Sequence, residues 1–199
     1  MSMTQSKHSL LLLAACCASV LATGPVRAQE KATTPQPAQA QTIVQQAQTA
    51  SQKQNKAVMV MFHASWCGWC KRLEAVMSRP EFKKMFEANY VMVSLDVMEN
   101  GPKVAQLENP GGKEIMAQLG GQKSGLPFYA WTDAKGKKLA DSNAMPKNAN
   151  IGYPGEPDEI ETFVGLIKQT APNWSAQDLK SLHDYLVANA PKATGTAAH

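Results

Sequence analysis

Six apolar residues in a row, Ala57-Val58-Met59-Val60-Met61-Phe62, end four residues short of Cys67-Gly68-Trp69-Cys70. An unbroken apolar run of this length suits a strand covered on both faces, the usual state of a parallel sheet. Beyond the cysteines the period changes. Leu73, Val76 and Met77 face one way over a predicted helix, Lys71 to Met77, which Pro80 ends or kinks. A covered strand, a short turn holding two cysteines and an amphipathic helix begin a layered α/β unit, and the rest must pack around it.

The remaining pattern supplies those layers. Thr42 to Asn55 reads as helix, with Ile43, Val44, Ala47 and Ala50 roughly on one face. Glu81 to Asn89 reads as a second helical piece and Tyr90 to Asp96 as an apolar strand. Val97 to Gly112 is poorly patterned and holds the turn signals Asn100-Gly101-Pro102 and Asn109-Pro110-Gly111-Gly112. Lys113 to Leu119 predicts a helix closed by Gly120-Gly121. Pro127 to Thr132 and Lys138 to Asp141 predict a hairpin turned at Asp133-Ala134-Lys135-Gly136, and Asn143 to Pro157 a loop. Pro157 to Thr170 is strongly amphipathic, with Pro157 at its start, acids in its first turn, and Ile160, Phe163, Val164 and Ile167 on one side. A last helix spans Ser175 to Asn189, with Ser175 as N-cap and Asp178 three residues on. No internal repeat occurs. The order predicts a central mixed sheet flanked by helices, with an extra C-terminal helix. The domain is expected over 42–171, followed by helix and tail over 172–199.

The first 28 residues read as an export signal: Lys7 and His8 at a weakly basic head, an apolar run from Leu10 to Leu21, and Ala28 as the small residue at the cleavage site. The run is shorter than the ~20 residues that span a bilayer. Leu13-Ala14-Ala15-Cys16 offers a second reading, lipidation at Cys16. Residues 29–41, rich in Gln, Ala, Pro and Thr, lack large apolar side chains and read as a flexible leader. Cleavage after Ala28 leaves 171 of the 199 residues, enough for one domain with a real core. It also leaves 18 basic against 16 acidic residues, spread evenly. Nothing in that balance calls for nucleic acid or a charged partner, and a monomer is expected.

Of four cysteines, only Cys67 and Cys70 survive cleavage. Exported proteins live where disulfides persist. Two cysteines three apart close a tiny loop and stabilise little, so the pair reads as chemical rather than structural. At a helix N-terminus Cys67 meets unpaired N–H groups and the positive end of the helix dipole, which favour the thiolate. Cys70, one turn on and deeper, can then resolve a mixed disulfide formed at Cys67. Gly68 is read as keeping the turn open. Trp66 and Trp69 are read as lining a docking surface, and Trp131 and Trp174 as core.

Phe62-His63-Ala64-Ser65-Trp66-Cys67-Gly68-Trp69-Cys70-Lys71 resembles the active-site segment of the thioredoxin superfamily, where Trp-Cys-Gly-x-Cys-Lys is typical. Gly125-Leu126-Pro127-Phe128 resembles that family's cis-proline loop, and Asp96 the end of its middle strand. The resemblance covers about Ile43 to Ala171. It implies a thioredoxin fold and a thiol–disulfide oxidoreductase exchanging disulfides with protein partners, without a soluble cofactor. It implies that Leu126 and Pro127 bind substrate, a peptide adding as a strand beside Cys67, and that Pro127 keeps metals off the thiols. The departures point to a specialised relative. Met61 stands where thioredoxins carry a buried aspartate, Met92 where they carry a lysine, and Leu126 where Thr or Val is familiar. Glu74 resembles a glutamate of periplasmic reductase domains and is a candidate proton acceptor for Cys70.

The expectation is therefore a periplasmic or secreted oxidoreductase, favoured as a reductase because Gly68-Trp69 lacks the histidine of strong oxidants. A membrane thiol–disulfide interchange protein is a candidate partner. Two other readings stay open: a copper chaperone using Cys67, Cys70 and His63, or a redox-silent module binding peptides at Leu126-Pro127. With no second CxxC or close His pair, structural zinc is not expected. His63 also reads as an ordinary partly buried histidine. Met59, Met61, Met77, Met92 and Met98 could bind soft metal, but fall where core residues belong.

Overall fold

The computed structural model describes residues 36–171 and 173–191. The predicted export signal, Cys16 and most of the predicted leader lie outside the described residues. Helix α1 (Ala40–Gln54) precedes strand β1 (Ala57–His63), and helix α2 (Gly68–Met77) follows the cysteines. Then come α3 (Pro80–Asn89), β2 (Tyr90–Asp96), a short α4 (Lys103–Leu107), α5 (Gly112–Gln118), β3 (Phe128–Thr132), β4 (Lys138–Asp141), α6 (Pro157–Thr170) and α7 (Ala176–Ala188). The sheet order is β2-β1-β3-β4. Strands β1 and β2 run parallel, and the other two pairs are antiparallel. This is the mixed sheet, flanked by helices, that the sequence predicts.

The uninterrupted apolar run of β1 has a simple cause. Successive side chains alternate faces, and both faces are covered. Met59 and Met61 enter one core with Leu73, Phe82, Phe163 and Leu182, under α2, α3, α6 and α7. Val58, Val60 and Phe62 enter a second core with Val44, Ile115 and Phe128, under α1 and α5. Trp131 and Trp174 are both buried. Pro80 does not kink a helix. Helix α2 has already stopped at Met77, and Pro80 is the first residue of α3, where its missing N–H costs nothing. The last helix packs on the domain: Leu182 and Leu186 join the first core, and the Tyr185 ring meets Phe82 edge-on at 5.4 Å.

Three expectations are corrected. The stretch before Gly112 contains α4, whose residues are all unburied, so no periodic signal marks it. Helix α1 begins at Ala40, where the Ala40 N–H donates to the Pro110 carbonyl at 2.9 Å, a long-range contact with no local signal. The methionines are not uniformly core. Met59, Met61 and Met77 are buried, but Met92, on the edge strand β2, is 37% exposed. It lines a cleft with Met59, Met61, Met77, Ser94 and Glu74. Among the described residues no helix is long and apolar enough to cross a membrane.

Candidate active site

Strand β1 delivers the chain to a tight turn, and Cys67 caps the helix that follows. The Cys70 N–H donates to Cys67 Sγ at 3.1 Å, satisfying one of the free amides at the N-terminus of α2. Cys67 and Cys70 form a disulfide with their Cα atoms 5.3 Å apart. Cys70 is fully buried and Cys67 is 3% exposed, so the second cysteine is the deeper one. A Cβ on Gly68 would meet nothing within 4 Å. The turn itself therefore does not need glycine, and what glycine leaves is free space outside it.

Trp66 and Trp69 flank the pair at 52% and 50% exposure. Neither is loose. Trp66 Nε1 donates to the Met98 carbonyl at 2.8 Å. Trp69 stacks on Tyr153 with ring centroids 5.6 Å apart, and the Arg72 guanidinium lies 4.9 Å from the Tyr153 centroid. Leu126 packs against Ala64, Cys67 and Cys70, and the Leu126-Pro127 bond is cis. Asn150 braces this loop, its Nδ2 donating to the carbonyls of Gly125 and Pro127, both at 3.0 Å. Tyr153 and Asn150 carry no sequence signal. Both sit in the long loop before α6 and reach the site only through the fold.

Three carboxylates, Glu74, Asp96 and Glu99, engage His63 and Ser65, which precede Cys67. His63 Nδ1 lies 3.0 Å from Glu74 Oε1, and its Nε2 lies 3.6 Å from Asp96 Oδ1. Burial pushes the Asp96 carboxyl above its usual range, against the opposing pull of His63. His63 is partly buried, as expected, but it is tied to both carboxylates. Glu99, 6% exposed, accepts from the Ser65 N–H and, at 2.8 Å, from Ser65 Oγ. Burial alone would raise the Glu99 carboxyl. The Ser65 donors, with the charges of Lys103 and His63, outweigh it and hold the carboxyl below its usual range.

Glu99→Ala is expected to destabilise the oxidised protein by about 1–3 kcal/mol, the usual effect of removing a charged acceptor from buried donors. The pH sign follows from the lowered carboxyl. Its stabilisation is full above the ordinary glutamate value near 4.5 and is lost as pH falls through the lower folded value. Urea unfolding from pH 7 down to pH 3 should show the gap between wild type and variant closing on the acid side. A constant gap would mean that Glu99 acts by packing alone.

Among the described residues no three His, Cys, Asp or Glu side chains group as a metal site. His63, the third ligand of the copper reading, is engaged by Glu74 and Asp96.

Residues 39–134 match a family model described as thioredoxin-like. Among solved structures, a disulphide isomerase from Xylella fastidiosa Temecula1 is 18% identical, with 76% of this chain and 91% of that one covered at a TM-score of 0.46. A structure described as DsbH oxidoreductase is 22% identical, with 79% and 95% covered at 0.44. The C-terminal domain of DsbD from Neisseria meningitidis, in its oxidised form, is 20% identical, with 54% and 84% covered at 0.36. At these values the likeness concerns the path of the chain alone. No curated protein matches the sequence.

Proposed function

We propose, from the match of residues 39–134 to the thioredoxin-like family model, that this chain is an exported thiol–disulfide oxidoreductase acting on protein partners. The observation that carries the reading is the disulfide at the head of α2, with an amide N–H on Cys67 Sγ and exposed tryptophans on both sides. In the reduced protein Cys67, as thiolate, attacks a partner disulfide. One partner sulfur leaves and a mixed disulfide forms. Cys70 loses its proton, with Glu74 as acceptor, and attacks Cys67 Sγ. The second partner sulfur leaves, and the Cys67–Cys70 bond closes. Two electrons pass to the partner, and no soluble cofactor takes part.

Trp66 and Trp69 form the apolar rim of the docking surface. Leu126 and Pro127 offer the backbone edge on which a partner strand adds. Export would follow cleavage after Ala28, placing the protein in the periplasm or outside the cell as a monomer. A membrane thiol–disulfide interchange protein is the proposed electron donor. The direction is that of a reductase, because the dipeptide between the cysteines is Gly68-Trp69 and carries no histidine.

Equilibration of the purified protein with glutathione buffers tests this. A potential nearer to about −270 mV than to about −120 mV supports a reductase, and the reverse overturns that direction. Failure of the pair to equilibrate at all would overturn the function.

A further inference from the structure

We infer that His63 is a positioning residue for the Cys70 step, holding Glu74 as the proton acceptor that Met61 cannot be. The inference rests on the reading just given and extends it to a residue on a different element.

A fully buried thiol has to lose its proton before it can attack. The apolar groups buried with Cys70 are Ala64 and Cys67, with Leu126 packed against them, and none of these three accepts a proton. Met61 on β1 is buried and carries no proton acceptor, and a cleft is walled by Met59, Met61, Met77 and Met92. Among the described residues Glu74 is the one carboxylate lining that cleft. It stands four residues after Cys70 on α2, which places the two on neighbouring turns of one helix face.

A glutamate on a helix surface has several rotamers and ordinarily points into water. Here the imidazole of His63 lies 3.0 Å from Glu74 Oε1, and the far side of that imidazole faces Asp96. His63 and Asp96 are the last residues of β1 and β2 and are partners in the strand register. The imidazole is thus fixed from the sheet and reaches up to the helix. Among the described residues, the charged groups facing it are Glu74 from α2, Asp96 from β2, and Glu99 beyond β2, which accepts from Ser65, itself the acceptor of a hydrogen bond from Lys103 Nζ.

The step balances in both directions. In reduction of a partner, the Cys70 proton passes to the Glu74 carboxylate. The new thiolate bonds to Cys67 Sγ, and the Cys67–partner bond breaks with its electron pair leaving on the partner sulfur. In the reverse reaction a partner thiolate attacks Cys67 Sγ. Cys70 leaves as thiolate and takes the proton back from Glu74.

The test separates the two chemical steps. Rapid mixing of the reduced protein with a peptide disulfide, quenched by acid and read by mass spectrometry, follows formation of the mixed disulfide and then its resolution. His63→Phe is expected to slow resolution about tenfold at pH 7 and to move the pH profile of that step alkaline. Formation of the mixed disulfide, which is the Cys67 step, should keep its rate. His63→Gln, which retains a donor toward Glu74, should recover most of the loss. Glu74→Gln should match His63→Phe, and the double variant should add little, because the two residues act as one unit. A resolution profile unchanged in His63→Phe overturns the inference, as do independent, additive losses. If the Phe variant fails to fold, Asp96→Asn replaces it. That change loosens the hold on His63 from its far side, and an unmoved profile there overturns the inference equally. A wild-type protein that forms no mixed disulfide would instead overturn the proposed function.

Discussion

Cys67→Ser is expected to reduce disulfide exchange by roughly 10³-fold or more, whereas Cys70→Ser should leave the first step intact and strand the protein on its partner. The asymmetry follows from where each sulfur sits. Cys67 caps α2, receives the Cys70 N–H, and lies between two exposed indoles. A thiolate there is stabilised by the helix end, but a serine hydroxyl at the same position stays protonated at neutral pH and is a poor nucleophile toward sulfur. Cys70 has no exposed surface and can be reached only by Cys67. Removing it leaves nothing to cleave the mixed disulfide, which then accumulates. Insulin reduction measures the first outcome. Mass spectrometry of Cys70→Ser expressed in an exporting host measures the second, as a covalent adduct released by dithiothreitol. An unmodified Cys70→Ser protein alongside an active wild type would mean that the chain attacks through the other sulfur.

The parts of this site that could be read from the sequence are those joined over short distances. The two cysteines, the flanking tryptophans and the helix that follows lie within one turn and its continuation, and hydrophobic period marks the strand before them. The Leu126-Pro127 loop could be named only through its resemblance to a family. What the sequence does not reveal is how these pieces are braced. Trp69 stacks on Tyr153, Ser65 bonds Glu99, and Asn150 holds the carbonyls on either side of Leu126. Each link joins residues far apart in the chain, between types that are common on any surface. His63 shows the same limit. Its partly buried state was legible from its place at the end of β1, but its grip on Glu74 depends on α2 folding back over the sheet. Met92 erred the other way. Its apolar type pointed to the core, but it sits on an edge strand, where a cleft leaves it exposed.

Trp131→Ala is expected to cost about 3–5 kcal/mol, without touching the chemistry of the cysteines. Trp131 is fully buried on β3, in register with Met59 on β1. Its ring meets Tyr129 edge-on at 5.4 Å and Tyr90 at 6.3 Å. It therefore fills the space between the sheet and the helices of the first core, and truncating it leaves a void there. Natural domains have roughly 5–15 kcal/mol in all, so this one change would remove a large share and lower the melting temperature by about 10 °C or more. Trp131→Phe keeps an aromatic face toward Tyr129 and should cost well under half as much. The Cys67, Cys70 and Leu126 cluster is separate from this core. Below its lowered transition Trp131→Ala should therefore still equilibrate with glutathione near the wild-type potential, the opposite pattern to Cys67→Ser, which keeps its fold and loses exchange. Far-UV circular dichroism in urea, with the disulfide intact in every sample, measures the stability. A loss under about 1 kcal/mol would mean that the helices collapse onto the vacated site, and that Trp131 fills this core without determining its packing.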